Sequence, residues 1–345
     1  MSDVHAHQSL SKRVTRPLAR LVGTPVALCF MLVLRLTSRK AGVALMYHSV
    51  DRRAGDPARE LVPPHEAGLF ERQVRHVARH YDVVPADRLL EAVRSRRRGE
   101  RFPAAITFDD DLTCHATIAA PVLRELGVSG TFFLSGASLD RPFSFHFERL
   151  QRAYDAGAPD LAAVVTGSAV AATPASLHTL GVAMVEMTPK DRDGAAERLL
   201  ALAGPDPDGA GIRRAHVRAL ADAGMTVGFH TRRHDPLTGL TDAELADAME
   251  SGRSELAEAA GAPVDVIGYP HGRADERVAA AAGAAGFRIG YSTRRTPVTP
   301  RSNPLLLGRF GPSLRSVGAL ALELAFTLVK PESGRSSPAR ERAAS

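Results

Sequence analysis

The sequence predicts an α/β fold built on a parallel sheet, and three observations carry this prediction. Short apolar runs of about five residues recur along the chain, as expected for buried strands. Helical stretches separate these runs, and alternating strands and helices favour a parallel sheet. Polar clusters directly follow several of the runs. About seven strands suit either a barrel or a doubly wound sheet, and both folds place their sites at the carboxyl ends of strands.

The elements are assigned in chain order from these runs. The predicted strands are Gly42–Met46, Ala104–Phe108, Gly130–Leu134, Met225–Phe229, Val264–Gly268, Phe287–Tyr291 and Leu305–Gly308. Helices are expected between them, notably over Ala116–Leu126 and over Asp242–Ala260. The second of these follows Thr241, and Glu244 stands three residues further on, which is typical of a capping box. The main domain is therefore expected to extend from about residue 41 to about 315.

Residues from about 147 to 214 interrupt this pattern. They are rich in alanine, with helical stretches over Leu150–Tyr154 and Asp191–Leu202. We interpret them as a helical insertion that either covers the site as a lid or packs beside it. The polar residues 1–12 and 331–345 are expected to be disordered tails.

Charge is concentrated at the amino terminus. Residues 1–40 carry seven Lys or Arg against one acid, Asp3, which accounts for the whole net charge of +6. The balanced remainder argues against a nucleic-acid-binding body, which would need a basic surface on the fold itself. The two cysteines, Cys29 and Cys114, exclude a disulfide framework and a four-cysteine zinc site. Any metal must therefore be held by histidine and carboxylate.

An uncharged, mostly apolar stretch lies between Arg20 and Arg35. It is shorter than the roughly 20 residues needed to span a bilayer. Three interpretations of the basic and apolar segment 1–40 stay open: a secretory signal, a helix lying on an anionic membrane surface through residues 12–40, or a helix packed on the domain. The compartment is therefore undecided between cytoplasmic or membrane-associated and extracytoplasmic.

Two polar clusters at predicted strand ends suggest a metal site. His230 and His234 are four residues apart and can converge on one cation from a helical turn, and neutral imidazole suits zinc and related ions. Asp109 and Asp110 follow a buried strand and, as consecutive strand residues, would point to opposite sides and serve different roles. Three protein ligands and one open coordination position are typical of catalytic zinc.

These residues resemble the motifs of the polysaccharide deacetylases, the family 4 carbohydrate esterases. Thr107–Asp111, with the sequence TFDDD, resembles the first motif of that family, usually TFDDG. His230–His234, with the sequence HTRRH, matches the second motif, H-[ST]-x-x-H. Ile118–Leu134 looks like the helix and strand that follow the first motif. The resemblance covers residues 41–310 approximately and implies a distorted (β/α)₇ barrel.

The resemblance also implies an activity and a role for each matching residue. The reaction would be hydrolysis of an N-acetyl group on an amino-sugar glycan or glycoconjugate, with Asp109 as general base. Asp110, His230 and His234 would hold a divalent metal, most often Zn²⁺, with Co²⁺ or Ni²⁺ as alternatives. The oxyanion and substrate would be bound near Tyr269-Pro270-His271.

Three positions depart from the family pattern. Asp111 stands where the family usually has glycine, so it either bends the loop differently or supplies another carboxylate. The third motif, Gly268–Gly272, lacks the arginine that orients the base, and the C-terminal L-x-H is missing from Leu305–Arg309. Met46–Val50 resembles a Y-H-x-V element of a rearranged branch, whose histidine is the general acid.

We therefore predict His48 as the general acid, with His271 and His115 as substitutes. The leading functional hypothesis is a metal-dependent deacetylase of N-acetylated glycans. The alternatives are another metal-dependent amide or ester hydrolase on the same scaffold, or a carbohydrate-binding protein that has lost catalysis.

Overall fold

The structure is a computed structural model that describes residues 23–167 and 176–331. Its centre is a curled sheet of seven parallel strands, six of which coincide with predicted apolar runs, whereas the short strand Asp82–Val83 was not predicted. The strands of this sheet are β1 (Val43–Tyr47), β4 (Asp82–Val83), β5 (Pro103–Asp109), β6 (Thr131–Leu134), β7 (Thr226–Phe229), β8 (Val266–Gly268) and β9 (Ile289–Tyr291). Their order is β1-β5-β6-β7-β8-β9, and the short β4 pairs with the beginning of β5. Two further short strands, β2 (Val50–Asp51) and β3 (His65–Glu66), pair with each other after β1.

The segment after β9 draws the two edges of the sheet together. Leu307 exchanges backbone hydrogen bonds with Gly290 and Ser292 at the β9 edge, at 2.8 Å each. Phe310 exchanges them with Ala44 and Met46 of β1, at 3.2 and 3.0 Å. The predicted strand Leu305–Gly308 is therefore realised only as isolated bridges, because the chain passes from one edge to the other within a few residues. The fold is an α/β barrel of the predicted distorted (β/α)₇ type.

Helices cover the outside of the sheet, and their apolar faces form the main core with Leu45, Ile106, Phe132 and Phe229 of the strands. The helices outside the insertion are α1 (residues 23–35), α2 (Ala67–His80), α3 (Leu89–Ser95), α4 (Ala120–Glu125), α9 (Arg214–Asp222), α10 (Asp242–Glu250), α11 (Arg253–Ala260), α12 (Glu276–Ala284) and α13 (Val317–Val329). The single helix predicted over Asp242–Ala260 is wrong. Gly252 adopts a φ of +84° there and divides the segment into α10 and α11.

In the region interpreted as an insertion, between β6 and β7, the described residues form four helices. They are α5 (His146–Asp155), α6 (Leu161–Thr166), α7 (Leu177–Glu186) and α8 (Pro189–Ala203). Their inward residues form a separate apolar cluster that includes Leu150, Leu180, Met184 and Leu199. This group of helices therefore has a core of its own beside the barrel.

The amino-terminal segment is helical over residues 23–35 and contacts the barrel. Ala27 and Met31 are buried in the main core, and the Tyr81 hydroxyl lies 3.6 Å from the Met31 sulfur. Within residues 23–167 and 176–331, we find no helix that is both long and apolar enough to cross a membrane. The predicted tail at 1–12 lies outside the described residues. The same holds for residues 332–345 of the tail predicted at 331–345.

Candidate active site

The carboxylate of Asp109, the last residue of β5, is held by a buried arginine. Arg309 donates hydrogen bonds from Nη1 to Oδ1 at 2.5 Å and from Nη2 to Oδ2 at 2.8 Å. Burial alone would raise the pKa of Asp109, but the charge of Arg309, then of His230 and His48, holds that pKa below its ordinary value. Asp109 is therefore an ionised carboxylate with a fixed orientation.

Arg309 itself is fully buried and fixed by several partners. It also donates to Thr107 Oγ1 at 3.1 Å, and its guanidinium lies 5.0 Å from the centre of the Phe133 ring. The sequence patterns did not single out Arg309. The available signal was a charged side chain directly after an apolar run, the same signal that identified Asp109. Arg309 supplies the guanidinium that the third motif lacks.

Asp110 follows the strand in a left-handed conformation, with φ of +74°, and its side chain is buried. Its Oδ1 atom lies 3.2 Å from Nε2 of His234 and 3.6 Å from Nε2 of His230. Burial alone would raise the pKa of Asp110, but the neighbouring His234, and then His48 and His230, hold that pKa well below the ordinary value. The opposite orientation predicted for the Asp109 and Asp110 side chains is wrong. The turn at Asp110 brings both carboxylates to the same cavity.

The tautomer of His230 is set by the next strand. Its Nδ1 lies 2.6 Å from the carbonyl oxygen of Gly268, so Nδ1 carries the proton and donates it. The Nε2 lone pair then faces Asp110 Oδ1. Burial lowers the pKa of His230 to about 4, although Asp109 and Asp110 act in the opposite direction. A neutral imidazole whose second nitrogen is held by a backbone carbonyl is a typical metal ligand.

His234 reaches the same point through a turn. The predicted helical turn over 230–234 is wrong, because Thr231 and His234 have φ values of +50° and +54°. The His234 ring packs against Phe145 and Phe147, with ring centres 5.2 and 5.7 Å apart. One residue further on, Asp235 accepts a 2.6 Å hydrogen bond from the buried Arg192 of α8. The helices of the insertion region thus brace the loop that carries His234.

These three side chains fit a divalent metal. The ligand atoms of Asp110, His230 and His234 all lie within 4.8 Å of one another. A tetrahedral ion with bonds of about 2.0–2.1 Å requires ligand atoms roughly 3.3 Å apart, close to the 3.2 and 3.6 Å found here. Asp110 Oδ1 is buried without a hydrogen-bond partner among the described residues. A carboxylate and two imidazoles are a donor set that suits zinc.

The other predicted acids differ in their access to this cavity. His48 follows β1 and lines the cavity with Asp109 and Asp110. His271 also lines it, and its ring centre is 4.5 Å from that of His234. His115 is fully buried and does not line it. Its Nε2 lies 3.2 Å from the backbone oxygen of His48, so its ring supports the end of β1.

The remaining predicted residues, Tyr269 and Pro270, do not line the cavity. The Tyr269 hydroxyl donates to the carbonyl oxygen of Leu305 at 2.8 Å, and its N–H donates to Tyr291. Proline has no N–H, and the N–H of Gly272 donates to Tyr269. The His271 amide is therefore the remaining backbone donor of this segment.

Asp111 has a structural role in this protein. Its carboxylate accepts hydrogen bonds from the N–H and hydroxyl of Ser135, both at 2.7 Å, and from the Ser138 hydroxyl at 3.0 Å. It is buried, and burial raises its pKa although these hydrogen bonds act in the opposite direction. Asp111 therefore ties the loop after β5 to the loop after β6, and it is not part of the ligand cluster.

A cavity of about 470 Å³ contains the cluster. Its barrel side is polar and is formed by His48, Asp109, Asp110, His230, His234 and His271. The facing side is largely apolar and is formed by Leu61, Val62, Phe147, Val182 and Val185. Since Val182 and Val185 belong to α7, the helices between β6 and β7 form part of the cavity wall.

The structure thus belongs to the class of parallel α/β barrels and carries a carboxylate and two histidines at the carboxyl ends of β5 and β7. A sequence profile of the polysaccharide deacetylase family matches residues 96–290. The chain belongs to the polysaccharide deacetylase family. None of the curated proteins matches the sequence significantly.

Solved structures of deacetylases share the fold. A deacetylase from Streptococcus pyogenes, PplD, in complex with acetate is 14% identical, with a TM-score of 0.57, over 83% of this chain and 99% of that one. A polysaccharide deacetylase from Bacillus cereus is 16% identical, with a TM-score of 0.54, over 83% and 69% of the two chains. IcaB from Ammonifex degensii is 17% identical, with a TM-score of 0.53, over 82% and 97%. At these identities the likeness establishes the fold.

Proposed function

We propose that this protein is a metal-dependent hydrolase that removes N-acetyl groups from an amino-sugar glycan or glycoconjugate. The observation that carries the proposal is the convergence of Asp110, His230 and His234 beside the Arg309-bound Asp109 in one cavity. The family supports a carbohydrate substrate. The acetate in the PplD structure is the product expected of a deacetylase.

Asp110 Oδ1 and the Nε2 atoms of His230 and His234 would hold the ion, most often Zn²⁺, with Co²⁺ or Ni²⁺ as alternatives. When bound, the ion would supply Lewis acidity that lowers the pKa of water and polarises the acetyl carbonyl. The fixed Nδ1 proton of His230 supports this role, since it keeps Nε2 available as a ligand. Asp110 brings a negative charge that favours a cation over an anion in this cavity.

Asp109 would act as the general base. The two hydrogen bonds from Arg309 keep the Asp109 carboxylate ionised, so one of its oxygens can accept a proton from the attacking water. His48 lines the same cavity and would donate a proton to the amine that leaves the acetyl carbon. The N–H of His271 would stabilise the developing negative charge on the carbonyl oxygen. Each of these groups reaches the cavity from a different strand end, which leaves room for the N-acetyl group between them.

Acetate release by the full chain from N-acetylglucosamine oligomers tests this proposal. The protein would be assayed after metal removal and after reloading with zinc or cobalt, with His230→Ala as the ligand variant. Leu202→Ala, a change on the exposed surface of α8, is the matched control. We expect acetate release only from the reloaded protein and the control.

Release from simple acetyl esters or cyclic amides but from no glycan would favour the other hydrolase hypothesis. Stoichiometric metal binding without any release would favour a carbohydrate-binding protein that has lost catalysis.

A further inference from the structure

One face of helix α1 is apolar and exposed to solvent. Val26 and Val33, two helical turns apart, are 55% and 62% exposed, and Leu36, directly after the helix, is 57% exposed. Phe326 of α13 extends this surface at 58% exposure, with its ring 6.2 Å from that of Phe30. Exposed apolar side chains that form a continuous stripe usually mark an interaction surface.

The opposite face of α1 is already occupied. Ala27 and Met31 are buried in the main core, and Arg39 beyond the helix donates to the carbonyl oxygen of Leu328 at 2.6 Å. The residues from Leu21 to Leu34 include no charged side chain. A helix that is apolar all round is normally surrounded by apolar material. Among residues 23–167 and 176–331, the barrel provides such material on one side of α1.

Basic side chains adjoin the carboxyl end of α1. The loop after α3 packs there, since Lys40 Nζ donates to the carbonyl oxygen of Arg94 and Arg35 Nη2 donates to that of Gly99 at 2.9 Å. The exposed side chains of this region include five cations, Lys40, Arg94, Arg97, Arg98 and Arg101, and three acids, Asp82, Glu91 and Glu100. The apolar stripe therefore ends in a surface with an excess of positive charge.

We propose that this α1 surface, formed by Val26, Val33, Leu36 and Phe326 with the neighbouring basic side chains, docks on an anionic lipid bilayer. Apolar side chains that enter the interface and cations that meet anionic headgroups are the two parts of peripheral membrane binding. A nucleic acid would use the cations and leave the apolar stripe exposed. Two copies paired through this surface would bring like charges together. The inference does not depend on the proposed catalytic activity.

Co-sedimentation of the full chain with vesicles tests the proposal. One vesicle type contains phosphatidylcholine alone, and the other contains phosphatidylcholine mixed with anionic phosphatidylglycerol. We expect binding to the mixed vesicles to be at least about tenfold stronger and to weaken with added salt.

Two variants separate the two parts of the surface. Val33→Glu/Leu36→Glu removes the apolar part, and Arg94→Glu/Arg97→Glu/Arg98→Glu removes the basic part. Each should weaken binding to mixed vesicles at least about tenfold with an unchanged melting temperature. The matched controls are Tyr154→Glu/Leu202→Glu and Arg52→Glu/Arg124→Glu/Arg218→Glu, which change other exposed residues of the same types.

Equal binding of each variant and its control would overturn the proposal. Absence of vesicle binding by the parent chain would also overturn it. In that case, a concentration-dependent dimer of the parent chain that the Val33→Glu/Leu36→Glu variant does not form would identify the surface as an interface between two copies.

Discussion

The guanidinium of Arg309 donates two hydrogen bonds to the carboxylate of Asp109, at 2.5 and 2.8 Å. The two residues are 200 positions apart in the sequence. Both groups are buried, so neither charge is screened by water. A fork of this kind fixes the direction of the carboxylate as well as its charge. In this protein the barrel-closing segment supplies the arginine that orients the proposed base.

Replacing Arg309 by methionine should therefore change the pH profile of the reaction. Without the guanidinium, burial would raise the pKa of Asp109, so the acidic limb of kcat/KM would move to higher pH. Loss of one partner of a buried ion pair should also lower the free energy of unfolding by about 3–5 kcal/mol. Arg309→Lys, which keeps the charge without the fork, should be intermediate. An unchanged acidic limb in folded Arg309→Met would contradict this role.

Asp111 should contribute to stability and leave the ligand cluster intact. Asp111→Gly, which introduces the usual residue of the family, removes hydrogen bonds with Ser135 and Ser138. We expect a loss of about 2–4 kcal/mol in unfolding free energy, since these bonds involve a buried charge. Urea denaturation measures it, and zinc content is the control readout. Asp110→Asn should instead lose bound zinc and not show this loss of unfolding free energy. Loss of zinc from Asp111→Gly with unchanged stability would reverse the two assignments.

The ion pair between Arg192 and Asp235 should affect metal affinity, although neither residue is a proposed metal ligand. Arg192→Leu frees the loop that follows His234, so we expect zinc affinity to fall about 10–100-fold, as for other residues that orient metal ligands. Competition with a fluorescent chelator measures this change. Arg198→Leu is the matched control, because Arg198 also lies on α8 and, among the described residues, donates to carbonyl oxygens of α6. Equal zinc affinities in the two variants would exclude the bracing role.

Buried histidines away from the cavity should make the protein less stable in mild acid. Burial lowers the pKa of His65 and of His76 to about 4, with neighbouring His48 and His80 acting in the same direction. Between this value and the ordinary pKa of about 6.5, the unfolded chain binds more protons than the folded one. The free energy of unfolding should therefore have its full value above about pH 6.5 and should decrease as the pH falls toward 4.

The expected slope is about 1.4 kcal/mol per pH unit for each proton taken up. Urea titrations of the metal-free protein at several pH values measure it without interference from metal release. His76→Gln should remove about one proton from the slope. A free energy that stays constant from pH 7.5 to pH 5 would refute this prediction.

The sequence was sufficient to predict six of the seven strands of the sheet and the polar residues that follow them, because buried strands and the polar clusters at their ends both leave local patterns. It was not sufficient for features that depend on backbone direction. The left-handed conformation of Asp110 turns its carboxylate toward the side on which Asp109 lies, and the turn at Thr231 replaces the expected helix. Asp and Thr adopt such conformations only where the surrounding structure requires them.

Long-range closure was the other feature that local patterns could not reveal. Arg309 reaches Asp109 only because residues near 307 and 310 bridge the two edges of the sheet. The same limit applies to Asp111, whose neighbours Ser135 and Ser138 come from the next strand end. Asp111 was noted in the sequence and Arg309 was not, but the partner of each depended on how the sheet curls.

The most direct test of the proposed mechanism compares the zinc-loaded parent with Asp109→Asn, measuring bound zinc and acetate release from N-acetylglucosamine oligomers in the same samples. The amide keeps the size of the side chain and removes its ability to accept a proton. We predict unchanged zinc content and a fall in turnover of about 10²–10⁴-fold, the usual contribution of a general base. Unchanged turnover with full zinc content would contradict the assignment of Asp109 as the base.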